Sequence, residues 1–267
     1  MNNAGTNMYE KLTIRNKFMF GKVTQNPVIA QKMADLLTPV KIGAVTEAER
    51  EKFLHHRSSS KYVKLDMYLE DENGRVVDTE MQNKSNNKMV QKELPLRIRY
   101  YQGMIDQEIL SSGTDYIFLK ETYIIFICTY DPFGKGKYVY HFHMTCDEDD
   151  SIQLYDKMNR IFYNTTADLS EAPEGIKKFL SYVENEHAED EFTRLLDKEV
   201  KNARLNEEWR SEYLKTYVND MDMKREGYLE GEAEKEKELL QNLMKTMHLT
   251  ESEAREKLGI NLDKHQS

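Results

Sequence analysis

The sequence predicts an α/β protein: a mixed sheet core flanked by helices, with an α-helical C-terminal extension. Three observations predict it. Strand-like runs at 61–82, 122–129, 137–144 and 159–164 share the first 170 residues with helical patterns at 26–37 and 86–110. Beyond residue 170, Gly and Pro thin out, charge rises and the patterns become helical. A hydrophobic content of 39% beside 32% charged residues supplies apolar material for one core within 267 residues. The expected division is therefore 1–170 for the core and 171–267 for the helical extension.

Each element has its own signal. Pro27 stands near the start of the helix at 26–37, whose stripe is Met33, Leu36 and Leu37. Residues 61–82 alternate as two strands about a tight Asn73-Gly74 turn. In the first strand Lys64, Asp66 and Tyr68 share a face opposite Val63, Leu65, Met67 and Leu69. In the second, Val76, Asp78, Glu80 and Gln82 fall opposite Val77, Thr79 and Met81. Leu94, Ile98, Tyr101 and Ile105 keep helical spacing across 86–110, with Pro95 marking a new first turn or a kink. The run 122–129 is the most apolar and predicts a central strand covered on both faces. Helices are expected at 173–184, 188–204, 206–220 and 226–247, and Thr250 with Glu253 forms a capping box for a last short one. That last helix is like half of a helix-turn-helix, but its surface is not markedly basic. It reads better as part of an oligomerising or partner-binding tail.

Carboxylates inside hydrophobic alternation are costly to bury unpaired. Two of them side by side repel, and a divalent cation is the simplest remedy. Register decides whether Asp66 and Glu80 meet. A two-residue Asn73-Gly74 loop sets them on opposite faces. A three-residue loop, Glu72-Asn73-Gly74 with Gly74 left-handed, pairs them directly, with β-carbons about 4.5–5.5 Å apart. Both loops suit Asn-Gly, and the chemistry favours the longer.

An acidic residue on one strand, a short turn and Glu-x-Gln on the next resemble the PD-(D/E)XK nucleases, with Gln82 where lysine is usual. The segments from Asn16 to Val23, Lys61 to Asp66, Asp78 to Gln82, Leu94 to Tyr101 and Phe126 to Gly134 stand in one order. In that order they resemble the Rpn-like PD-(D/E)XK nuclease family, recombination-promoting and transposase-like, over residues 8 to 215. The resemblance implies a restriction-endonuclease-like core and a metal-dependent DNA endonuclease. It implies Asp66, Glu80 and Gln82 as the catalytic set, with Asp66, Glu80 and the Met81 carbonyl holding Mg²⁺, for which Mn²⁺ can substitute. The ion would activate a water in line with a phosphodiester. Glutamine positions a water but brings no charge, which Lys61, Lys64 or Lys84 would then supply. Asp78, often asparagine in the family, is a flanking group.

Arg97, Tyr100 and Tyr101 suit phosphate contact and base stacking. The alternative is that the tyrosines pack on the sheet and Arg97 pairs with Glu80 or Asp66. Lys17 stands where the family has an aspartate. That departure, with Gln82, supports an alternative function: a catalytically weak or inactive family member acting as a DNA- or protein-binding module. A purely structural interaction protein would rest on the helical tail alone.

The net charge of −9 is unevenly placed, since residues 184 to 238 hold 18 acids against 10 bases. The catalytic part is near neutral, so a metal and local basic groups can still make a positive cleft. The segment from Arg50 to Lys64 is basic and reads equally as a solvated loop or a phosphate contact. No apolar run of membrane-spanning length and no apolar N-terminal region exist, so a cytoplasmic protein with no membrane partner is expected. Cys128 and Cys146 form neither a disulfide framework nor a zinc spacing, and His141 and His143 lack a third ligand. DNA is the expected partner. Cutting both strands with one site per chain calls for two chains, so a homodimer through the helical C-terminal region is expected. The stripe of Leu239, Leu240, Leu243, Met244 and Met247 there needs a partner in its own chain or a second copy.

Overall fold

The computed structural model describes residues 8–50, 52–54, 62–84 and 88–259, with the backbone alone for 46–50 and 88–90. Helices α1 (Lys17–Val23) and α2 (Pro27–Leu37) come first. Strands β1 (Val45–Arg50), β2 (Phe53–Leu54), β3 (Val63–Lys64), β4 (Met67–Asp71) and β5 (Val76–Gln82) follow. Helix α3 (Lys88–Ile109) then leads to β6 (Thr122–Cys128), β7 (Val139–Phe142) and β8 (Met158–Asn164). The rest is helical: α4 (Glu174–Asn185), α5 (Glu191–Arg204), α6 (Glu207–Met247) and α7 (Glu251–Leu258). The fold is mixed α/β, as the sequence predicts.

One sheet takes the order β1-β4-β5-β6-β8-β7, while β2 and β3 form a separate ribbon. Strands β5, β6 and β8 run parallel; β1, β4 and β7 join antiparallel. A parallel pair needs a crossover, and α3 lies between β5 and β6. Both of these strands are buried along their whole length, which is why 122–129 reads as a continuous apolar run.

The two faces have different covers. On one, Val76, Ile124, Phe126, Cys128 and Phe162 pack with Leu94, Ile98, Met104 and Ile105 of α3. On the other, the Tyr163 hydroxyl donates to the Leu37 carbonyl at the end of α2 (2.9 Å). Helix α5 is tied to the N-terminal segment, since Tyr9 donates to the Ala203 carbonyl (2.7 Å) and Arg204 Nε to the Leu12 carbonyl (2.7 Å). Phe179, Leu180, Leu196 and Val200 are buried on α4 and α5. The chain accordingly divides into compact units Met1–Arg210 and Ser211–Ser267, later than the change in sequence character near residue 170.

The hairpin register follows from its loop. Met67 faces Thr79, Tyr68 faces Asp78 and Leu69 faces Val77. Asp71 N donates to the Arg75 carbonyl (3.0 Å), Gly74 N to the Asp71 carbonyl (2.9 Å), and Gly74 has φ +73°. This is the three-residue loop with a left-handed glycine. The Asp71 carboxylate braces it, accepting from the backbone N–H groups of Asn73 (2.9 Å), Arg75 (2.8 Å) and Gly43 (2.8 Å). Burial works against that charge, but these donors hold Asp71 below the usual carboxylate range.

Four features differ from the sequence expectations. The first hairpin strand is divided, because Leu65 N is captured by the Lys52 carbonyl (3.0 Å) and β3 pairs with β2 instead of continuing into β4. Helix α3 runs through Pro95 without a break; the buried Leu94 and Ile98 beside it offset the one backbone bond that proline forgoes. Helix α6 is continuous where two helices were expected, since Gly227 and Gly231 weaken a helix interior without ending it. Strand β1, Val-Thr-Glu-Ala-Glu-Arg, lies within a stretch that reads simply as polar; its charge is what an edge strand carries.

In the second unit, α7 packs on α6 with Leu240 and Ala254 buried and Arg255 paired to Glu236 (3.8 Å). Thr250 N donates to Glu253 Oε2 (2.8 Å) and Glu253 N to Thr250 Oγ1 (3.4 Å), the expected capping box. For Leu240, the partner of the apolar stripe thus lies in its own chain. No described helix is long and apolar enough to cross a membrane.

Gly74 has open space where a β-carbon would stand, so its substitution tests the left-handed backbone alone. Gly74→Ala should lower unfolding free energy by about 1 kcal/mol in urea denaturation, with the fold unchanged by circular dichroism.

Candidate active site

Asp78, Glu80 and Gln82 project from β5 toward the α3 side, each opposite an apolar or weakly polar residue of β6: Ile124, Phe126 and Cys128. Such surroundings disfavour isolated charge. Asp66 sits in the bend before β4, directly across from Glu80 in the extended register. Each carboxylate is fixed by the other's strand. Asp66 N donates to Glu80 Oε1 at 2.7 Å, and Met81 N donates to Asp66 Oδ2 at 3.2 Å. The other Glu80 oxygen faces Lys17, whose Nζ lies 3.5 Å from Glu80 Oε2 and 3.6 Å from Asp66 Oδ2.

Lys17 is the first residue of α1. Asn16 caps that turn, its side chain accepting from Phe18 N (3.0 Å) and Met19 N (3.3 Å). The cap sets the direction in which Lys17 leaves the helix, while 47% of its side-chain surface remains exposed.

Burial sets the electrostatics. It pushes the Asp66 carboxyl up to about 7, aided by the Glu80 charge and opposed by Lys17 and the Met81 N–H. Burial drives Asp78 well above the carboxylate range as well, with Glu80 and Asp66 adding to the shift. Both Asp78 oxygens are buried without a hydrogen-bond partner. Burial also works against the Lys17 ammonium, but Asp66 and Glu80 outweigh it and hold Lys17 charged.

Gln82 Oε1 accepts from Arg97 Nη1 at 2.8 Å, and Arg97 Nη2 donates to the Tyr101 hydroxyl at 3.1 Å. The guanidinium also lies over the Tyr101 and Phe126 rings, 5.6 Å from each centroid. Arg97 therefore binds the glutamine rather than Glu80 or Asp66. Tyr101 packs at a tilt on Phe126, whereas Tyr100 is exposed. Arg97, Tyr100 and Tyr101 line one groove together with Tyr62, Lys64 and Leu96. A second groove is lined by Lys11, Arg15, Asn83 and Lys84, at the end of β5.

Of the lysines expected to restore charge, Lys64 is exposed with its ammonium over the Phe53 ring (5.6 Å), and Lys84 is exposed just after β5. Lys61 lies outside the described residues, as do His55, His56 and Arg57 of the basic segment. Among the described residues, the cation that reaches the carboxylate pair is Lys17. Its signal in the sequence is that it stands where the family that the sequence resembles usually has an aspartate. Cys128 is buried, and burial pushes its thiol up to about 12, leaving an inert core residue. His141 and His143 are exposed. Among the described residues, no three His, Cys, Asp or Glu side chains converge as a ready metal cage.

Residues 16–264 match the profile of a family described as PD-(D/E)XK nuclease family transposase. No curated protein and no solved structure gives a match.

The raised Asp66 value has a definite sign. Between the ordinary carboxylate value and about 7, the unfolded chain has released a proton that folded Asp66 still holds. Stability contributed by this group therefore falls as pH rises through that window. Asp66→Asn does not titrate, so with chelator present its unfolding free energy should gain on wild type by on the order of 4 kcal/mol from pH 4 to pH 8. A constant difference across paired denaturation curves would contradict the assignment.

Proposed function

The chain belongs to the PD-(D/E)XK nuclease family transposases, and on that footing we propose that it is a divalent-metal-dependent DNA endonuclease. The observation that carries this reading is the Asp66–Glu80 pair, locked by reciprocal backbone bonds so that oxygens of both converge on one cation position. The donor chemistry fits a hard cation, and the orphaned Asp78 oxygens beside the pair lack the positive partner that such an ion brings. Mg²⁺ suits a site with two protein carboxylates, because it keeps several waters; Mn²⁺ accepts the same donors. Asp66 and Glu80 would hold the ion, with the Met81 carbonyl as a third donor. When bound, the ion supplies a Lewis acid and an activated water.

The remaining roles fall to groups around the pair. Gln82 positions the water through its amide, and the guanidinium of Arg97 brings to that amide the positive charge glutamine lacks. The groove with Tyr62, Lys64, Arg97, Tyr100 and Tyr101 offers cations for phosphates and rings for bases. Lys11, Arg15 and Lys84 add cations on the second groove. A DNA substrate accords with the cytoplasmic location expected from the sequence. Cleavage of both strands would use two chains, joined through the helical C-terminal region.

The second reading, a weak or inactive member that binds DNA, is favoured by Lys17 on the carboxylates and Gln82 in place of lysine. Supercoiled plasmid with Mg²⁺ or Mn²⁺ separates the two. Wild type should nick it, and Glu80→Ala and EDTA should each abolish nicking. Equal nicking by wild type and Glu80→Ala would remove the enzyme assignment. Absence of nicking with salt-sensitive DNA binding would favour the second reading. Arg97→Ala should weaken binding to short DNA by about 1–3 kcal/mol, measured by fluorescence anisotropy.

A further inference from the structure

We infer that Lys17 is a tethered counter-ion occupying the cation position of the Asp66–Glu80 pair in the substrate-free protein, and that a divalent ion enters only as this side chain withdraws. The inference rests on the reading of that pair as a metal site. It concerns what guards the site, which that reading leaves open.

Three observations carry it. The first is convergence. Glu80 Oε1 is taken by Asp66 N, and the free oxygen, Oε2, points to the same ammonium as Asp66 Oδ2. The Met81 N–H holds Asp66 Oδ2 on the side that faces the ammonium, and the Asp66 N–H holds Glu80 with Oε2 turned to it. The second is charge. An ammonium within 3.6 Å of both oxygens repels a divalent ion brought to them, so the two cations are alternative occupants. Among the described residues, Arg97 is a further cation nearby, but it is held by Gln82 and Tyr101 and does not fill this position.

The third is mobility without unfolding. The turn that carries Lys17 is fixed by the Asn16 cap, and Met19, Phe20 and Val23 anchor α1 in the core. The lysine side chain itself is nearly half exposed. It can rotate into solvent while α1 stays in place. A phosphodiester arriving at the site offers the released ammonium a new anionic partner, so substrate and metal would favour each other's binding.

Calorimetric titration of the full chain with Mn²⁺ tests this directly, without reference to cleavage. Lys17→Met removes the charge at similar length and should bind Mn²⁺ roughly tenfold to a hundredfold more tightly than wild type. Lys17→Arg keeps the charge and should match wild type. If Lys17→Met folds poorly without metal, its melting temperature should rise on adding Mn²⁺ by more than that of wild type. Equal or weaker binding by Lys17→Met, an arginine variant that behaves like methionine, or no binding by any variant would overturn the inference. Plasmid nicking by wild type alongside unchanged affinity in Lys17→Met would remove the guarding role and leave the nuclease reading standing.

Discussion

Everything at this site depends on burying carboxylates of like charge beside one another on a sheet. Asp66, Asp78 and Glu80 are all nearly inaccessible to solvent, in surroundings of Ile124 and Phe126 that do nothing to screen them. Two means of relief are visible. Backbone N–H groups of Asp66 and Met81 satisfy one oxygen of each member of the pair. The Lys17 ammonium supplies a positive charge to both. Asp78 has neither, and its raised pKa expresses that lack. A core built for stability alone would place apolar residues here, since removing a well-packed ion pair is often neutral or favourable.

The loop at the far end of the hairpin controls this chemistry. Side chains alternate with a period of two, so one residue more or fewer between the strands would turn Asp66 away from Glu80. Gly74 in the left-handed region and the Asp71 brace hold the odd-length loop. The division of the first strand serves the same end. With β3 drawn off to the ribbon, Asp66 lies in a bend whose free N–H can reach Glu80 instead of completing a ladder bond. From the other side, the capped first turn of α1 delivers Lys17.

Much of this was legible in the residues, and the limits have physical causes. The apolar run of β6, the amphipathic stripe on α3 and the capping box of α7 are local signals, and each matches its element. The pairing of Asp66 with Glu80 followed from requiring two carboxylates to share a purpose. Strand β1 was not legible, because a charged edge strand carries little hydrophobic periodicity. The charge of α4 and α5 marks their outer faces only, while Phe179 and Leu196 are buried. In the sequence Lys17 is a departure from the family pattern that suggests weakened activity. Only the fold brings it within reach of Asp66 and Glu80, residues far away along the chain.

The central claim is that Lys17 and the carboxylate pair form one electrostatic unit. A double-mutant cycle on unfolding free energy with Lys17→Met and Glu80→Gln, in metal-free buffer near neutral pH, measures it most directly. Solvent on the exposed side of the lysine screens the interaction, so a coupling of about 1–2 kcal/mol is the predicted result. Effects that add to within about 0.3 kcal/mol would show two independent residues and contradict the account.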